Sequence, residues 1–278
     1  MKTLSLLISM KYLVYYALAG LGLLFLFRRR TGRWARAAAQ LLSFVLLGGV
    51  IGLILPALKN PLGMHPSPMC SLTKLPTFVI SEGFWPPPLV AMLVLIVVLS
   101  LVGKKLFCGW GCPLGALQEL CYLIPGLKKV ANLPFRFTNT VRAYLLAVYV
   151  VGLMAFGIVL YNDINAFEMM HWEFVFNVGV LGLGLIVLVS ALYYRPYCYL
   201  VCPVGLVSWV LERFAPLRVR VDRNRCTSCQ ACVQKSPCPA IQPLVDGEKG
   251  WLPDCTSCGL CLQTCPEDAL SFGLQKRK

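Results

Sequence analysis

The stretch Cys255-Thr256-Ser257-Cys258-Gly259-Leu260-Cys261-Leu262-Gln263-Thr264-Cys265-Pro266 sets the chemistry of the chain. Its spacing, C-x2-C-x2-C-x3-C-P, is the run that holds a cubane [4Fe–4S] cluster. Three cysteines at intervals of three wrap one turn around the cube, and the fourth, on the segment that follows, points at a second cluster. The second run stands upstream: Cys226, Cys229 and Cys232 repeat the intervals, and Cys238-Pro239 closes the group after five intervening residues instead of three. Crossed ligation then assigns Cys226, Cys229, Cys232 and Cys265 to one cluster and Cys238, Cys255, Cys258 and Cys261 to the other. Zinc usually takes two pairs of ligands and not crossed triplets. Disulfides are disfavoured in a reducing cytoplasm. The expectation for residues 216–278 is a small α+β ferredoxin domain of the bacterial two-[4Fe–4S] kind.

Upstream of that cassette the composition is of another class. Apolar residues make up 58 % of the 278 and charged residues only 14 %, against roughly 45–50 % and about 25 % in a soluble domain. Five apolar stretches approach the ~20 residues a spanning helix needs: Leu4–Phe27, with Lys11 inside it, then Ala37–Leu58, Pro86–Gly103, Ala143–Tyr161 and Phe174–Tyr194. Lys2 and Ala17-Leu18-Ala19 give the first some features of a cleaved signal, but its apolar run continues to Phe27 and stops at an arginine cluster, as a span does. Residues 1–215 therefore read as an all-α polytopic membrane domain of about five transmembrane helices.

The net charge is +14. The basic residues form short runs beside alternate apolar segments: Arg28, Arg29, Arg30, Arg33 and Arg36; Lys104, Lys105, Lys128, Lys129, Arg136 and Arg142; Arg195, Arg213, Arg218, Arg220, Arg223 and Arg225. That is the positive-inside pattern, and it places the N-terminus outside and the C-terminal cassette in the cytoplasm of a bacterial-type inner membrane. Nucleic-acid binding would gather the charge on one face or tail instead. Anionic thiolate-ligated clusters also neutralise part of the excess.

The cysteines continue inside the membrane region. Cys108-Gly109-Trp110-Gly111-Cys112-Pro113-Leu114-Gly115 follows the third segment, and Cys198-Tyr199-Leu200-Val201-Cys202-Pro203-Val204-Gly205 follows the fifth. The shared C-x3-C-P-x-G is an internal repeat. Each proline suits a first helical position, so two helix N-termini at the membrane face would lower the pKa of the adjacent thiols and favour an anionic site. Cys108, Cys112, Cys198 and Cys202 then converge on a third metal or redox centre. Two independent dithiol pairs and inert packing cysteines remain open. Cys121, on the following apolar stretch, reads as packing.

Both histidines fall on the outer loops. Met64, His65, Met69 and Cys70 form one group, and Met169, Met170 and His171 another. Thioether, thiolate and imidazole suit copper(I). The histidines, with Asp163, Glu168 and Glu173, suit proton acceptance from a quinol. Capping and interfacial packing is the third reading. No strand–G-x-G-x-x-G–helix nucleotide fingerprint is present, and Gly179, Gly182 and Gly184 lie where they favour helix packing.

The paired Cys-x3-Cys-Pro turns followed by a two-cluster cassette resemble the NapH-type membrane ferredoxins, with NosR and MauN-like proteins. The resemblance covers most of residues 86–278. It implies an electron-transfer subunit of a quinol dehydrogenase-type oxidoreductase complex, working between membrane quinone and iron–sulfur or heme partner proteins. The five expected spans, where four are usual, and the longer spacing before Cys238 depart from that family. A metal reductase or assembly factor, delivering electrons outward to copper, is the alternative. The charge pattern predicts that a reporter fused after Lys278 reports cytoplasm and that a cysteine label placed at residue 65 is reached from outside; labelling from the inside only would reverse the orientation.

Overall fold

The apolar runs fold as helices, since a chain without charges over a helix length satisfies its backbone internally. The computed structural model describes residues 6–29, 31–63, 65–130, 135–157, 159, 161, 164–170, 178–247 and 254–274. The helices of the apolar region are α1 (Met10–Phe27), α2 (Arg33–Leu47), α3 (Val50–Ile54), α4 (Pro68–Glu82), α5 (Pro87–Gly103) and α6 (Pro113–Tyr122), then α7 (Phe135–Phe156), α8 (Ala166–Met169), α9 (Val178–Leu192), α10 (Pro196–Leu200) and α11 (Pro203–Leu211). The cassette contributes β1 (Leu217–Val221), α12 (Ala231–Lys235), α13 (Ile241–Asp246) and β2 (Leu270–Leu274). β1 and β2 pair antiparallel, with Val219 opposite Phe272 on the buried face.

By length and composition α1 and α7 are able to cross a membrane, and α5 and residues Leu181–Leu192 of α9 are shorter apolar helices. The second expected segment is broken: α2 stops at Leu47, Gly48-Gly49 interrupts it, and α3 and the 3-10 turn Pro56–Leu58 follow. The fourth helix begins earlier than expected, at Phe135, and ends at Phe156. α4 lies in what the sequence reads as loop. Ser67 caps it, its hydroxyl accepting from Cys70 N at 3.2 Å, and Pro68 opens it; the internal Pro76 hides it from a periodicity reading.

α1 serves as a ruler for the fold. Its 18 residues span about 27 Å. At its start the buried Lys11 donates to Gly63 O (2.8 Å) and Pro66 O (3.1 Å), which accounts for a charge in an apolar run. Just past its end, Arg29 pairs with Asp268 at 3.0 Å and Thr31 Oγ1 donates to Gly259 O at 2.7 Å. The loop before α4 and the cysteine cassette therefore sit at opposite ends of α1.

Between those ends lies the turn Phe107–Gly111. Phe107 stacks on Tyr15 with ring centroids 5.3 Å apart, and Trp110 lies against Gly22 and Phe25. The cassette loop closes over this turn: Trp110 Nε1 donates to Ser257 O (2.9 Å), and Ser257 Oγ donates to Gly103 O (2.7 Å). Gly109 permits the approach, since a Cβ there would stand 2.1 Å from Thr256 O.

Gly109→Ala should therefore push the cassette off its seat at a cost of about 1–3 kcal/mol and quicken proteolysis within residues 216–278. Gly20→Ala, whose Cβ meets nothing within 4 Å, should stabilise by up to about 1 kcal/mol. Limited proteolysis and thermal melting in detergent compare the two, and equal proteolysis would contradict this docking.

Candidate metal centre

Proline sets the local geometry of both repeats. Pro113 and Pro203 open α6 and α11, and Cys112 and Cys202 occupy the cap positions before them. The tight turn Phe107–Gly111 precedes one cap and the short α10 the other, so each copy hangs two thiols on one bend. The four residues Cys108, Cys112, Cys198 and Cys202 line a single cavity. Pro68 and Phe167 close it on one side, Thr256 of the cassette on another, and Lys105 and Arg195 between them.

An arginine holds the first cysteine's carbonyl in each copy. Arg195 Nη1 donates to Cys108 O at 2.8 Å, and Arg142 Nη1 donates to Cys198 O at 3.3 Å. The last glycine of each motif makes room for that arginine. A Cβ at Gly115 would lie 3.0 Å from Cys108 O and 3.2 Å from the Arg195 guanidinium, and one at Gly205 would lie 2.9 Å from Cys198 O and 2.9 Å from Arg142. Gln118, ten residues after Cys108, donates to Cys198 Sγ at 3.2 Å. Ser208, ten residues after Cys198, hydrogen-bonds Cys108. Aligning the repeats would have picked out Gln118 and Ser208 as equivalents.

Charge is concentrated around this layer. Arg36, Lys104, Lys105, Arg142 and Arg195 are buried, facing the buried carboxylates of Glu119, Glu212 and Asp254. Glu119 bridges Arg36 and Arg195; Asp254 pairs with Arg142 at 2.7 Å and with Lys105; Glu212 faces Lys104. Burial alone would raise the Glu119 carboxyl, but Arg36 and Arg195 hold it at about 2. These five cations are buried between elements and so say little about which side a loop faces. Arg28, Arg33, Lys128, Arg136 and Arg213 stay exposed.

One expectation for the repeat needs correction. Burial pushes all four thiols up from the ordinary cysteine range, and for Cys112 and Cys202 the other thiols add to it; the helix ends do not win. Desolvation of a charged sulfur outweighs a partial helix charge. The first of the two turns runs along α1, with Trp110 against Gly22 and Phe25 at the cassette side and Gly111, next to Cys112, against Tyr15.

In the cassette, Cys232 is within electrostatic reach of Cys226 and Cys265, and Cys238 of Cys255, Cys258 and Cys261. Cys229 is exposed on the rim. Cys261 also faces Cys232, so the two groups adjoin. Cys121 is buried on α6. Of the outer-loop candidates, Met64, Asp163, His171 and Glu173 lie outside the described residues, as does the side chain of Met169. Met69 turns inward, its sulfur accepting from Tyr197 Oη at 3.2 Å. His65 and Cys70 meet at Glu168.

The sequence matches the 4Fe-4S binding domain family over residues 85–130 and 177–221, one match on each Cys-x3-Cys-Pro copy. It is 32% identical to an uncharacterized protein of Methanocaldococcus jannaschii, over 68% of this chain and 81% of that one. It is 29% identical to the ferredoxin-type protein NapH of Escherichia coli (66% of this chain, 67% of that one). With the methylamine utilization ferredoxin-type protein MauN of Paracoccus denitrificans it shares 28% identity (62% and 64%). No solved structure matches the chain. With cysteine turns of this pattern, two matches to a cluster-binding family and these relatives, the chain belongs to the NapH-type ferredoxin family of iron–sulfur electron-transfer proteins.

Proposed function

We propose that this chain is a multi-pass membrane subunit that carries electrons between a quinol/quinone couple and partner redox proteins, and that its cysteines hold three [4Fe–4S] clusters. The observation that carries the reading is the single cavity lined by Cys108, Cys112, Cys198 and Cys202 and walled by Thr256 of the cassette. These four would hold one cluster. Cys238, Cys255, Cys258 and Cys261 would hold the second, and Cys226, Cys229, Cys232 and Cys265 the third. Such clusters supply reversible one-electron storage.

The residues present fit that group. Four thiols pushed up by burial are costly as free thiolates, whereas five buried cations against three carboxylates leave the layer positive and suited to an anionic occupant. Gln118, Ser208 and the amide of Gly115 direct hydrogen bonds at the sulfurs, and such bonds tune a cluster's potential. Phe107, Pro68, Phe167 and Val204 keep water from the cavity. The cassette and membrane portions divide near residue 215.

Membrane embedding is supported by the lipid-like exterior. Tyr144, Val148, Val151, Met154 and Phe156 on α7 and Leu181, Leu185 and Leu188 on α9 are exposed, two apolar helix faces of a kind that soluble proteins rarely leave in water. Five spans, the cytoplasmic cassette and the outer N-terminus follow from the apolar segments and the exposed basic residues. We assign the quinone to the apolar cleft of about 100 Å³ lined by Val189, Tyr193, Tyr194, Pro196, Tyr199 and Pro239. Tyr199 borders both that cleft and the thiol cavity.

If the four repeat cysteines act as one unit, Cys108→Ser and Cys202→Ser should show matching losses, about tenfold or more, in quinol-linked reduction of a partner. The double variant should be little worse than either single change, because residues that act as a unit are non-additive. Signals of the cassette clusters should persist in all three. Defects that differ between the copies and accumulate would instead indicate two independent dithiols.

A further inference from the structure

At the wall of the cavity formed by Pro68 and Phe167, three metal-ligating side chains come together, His65 from the loop before α4, Cys70 from its first turn and Glu168 from α8. The imidazole nitrogen of His65, the sulfur of Cys70 and a carboxylate oxygen of Glu168 all lie within 4.8 Å of one another. His65 Nε2 stands 3.7 Å from Glu168 Oε2, and Cys70 Sγ stands 3.5 Å from Glu168 Oε1. A tetrahedral ion with zinc-like bond lengths separates nitrogen, sulfur and oxygen ligands by roughly 3.3–3.6 Å. His65 and Cys70 each stand about one such edge from Glu168, one at each of its two oxygens, and one ligand atom from each of the three residues falls within 4.8 Å of the others. We infer that His65, Cys70 and Glu168 form a mononuclear site for a divalent transition-metal ion of the zinc class.

The surroundings support the assignment independently of the cluster cysteines. Cys70 is 2 % exposed, and its thiol donates to Glu168 Oε1 at 3.5 Å, a proton that a bound cation would replace. Cys70 lies in the first turn of the 15-residue α4, held there by the Ser67 cap. Asn165 Nδ2 points at the same sulfur from 3.6 Å. Lys74 donates to Glu168 Oε1 at 2.9 Å, orienting the carboxylate while its other oxygen faces His65. His65 is half-exposed, which supplies an entry path. Three protein ligands leave a fourth position for water, the pattern of sites that exchange or activate a ligand. Mixed imidazole, thiolate and carboxylate donors suit a borderline divalent ion better than copper(I), and Met69, the thioether beside Cys70, is turned away to Tyr197.

The site also has a position. Pro68 and Phe167, the near neighbours of Cys70 and Glu168 in the chain, wall the cavity of the four repeat cysteines. The proposed ion would sit against the centre that the cassette reaches from the opposite side.

The test uses anaerobically purified protein with its iron intact, dialysed against zinc at low micromolar concentration. Wild type should retain about one zinc per chain. His65→Ala and Cys70→Ser should each bind it at least tenfold more weakly, with iron content unchanged. Because His65 is exposed, its variant separates ligand loss from misfolding. The zinc edge in X-ray absorption should show one sulfur among nitrogen and oxygen neighbours. Equal zinc retention in wild type and both variants, or a four-sulfur zinc environment, would overturn the site.

Discussion

Four thiols around one buried cavity impose the strictest demand in this protein. Packed side by side away from water they cannot all ionise unless something positive compensates them. The neighbouring sequence supplies that compensation. Arg195 and Arg142 each reach across to the first cysteine's carbonyl of one repeat, and each needs the glycine that ends the motif. Their charges, with those of Arg36 and Lys105, are held in place by Glu119 and Asp254. Asp254 directly precedes Cys255, so the ion pairs that frame the cavity also anchor the cassette. Removing a carboxylate such as Glu119 would strand two buried guanidinium groups, a class of change that costs about 3–5 kcal/mol.

The same layer joins the two ends of α1. The first repeat turn lies along α1 from Phe25 to Tyr15, and Pro68 and Phe167 wall the cavity that it shares with the second repeat. The backbone of the turn Phe107–Gly111 is packed among α1, α2, α6 and the cassette loop. The cassette packs directly on this layer at Gly109 and Trp110.

Much of this was legible in the residues. The cassette intervals and the C-x3-C-P-x-G repeat declare themselves because metal ligation fixes spacing locally, and the apolar runs because lipid demands length. What was not legible depends on tertiary approach. The buried destination of Lys104, Lys105 and Arg142 is invisible to a rule that counts basic residues by loop. α4 was hidden by Pro76, although Ser67-Pro68 carries a capping signal. The break at Gly48-Gly49 lies inside an unbroken apolar run. Glu168 is one of several outer acids, and only the fold brings it to His65 and Cys70.

The account turns on whether the repeat cysteines hold a cluster of their own. Iron and acid-labile sulfide, quantified per chain on anaerobically purified wild-type protein, decide it. Three cubanes on twelve cysteines predict about twelve iron and about twelve sulfide. A value of about eight of each, with the repeat thiols free to alkylate, would confine the clusters to the cassette and contradict the account.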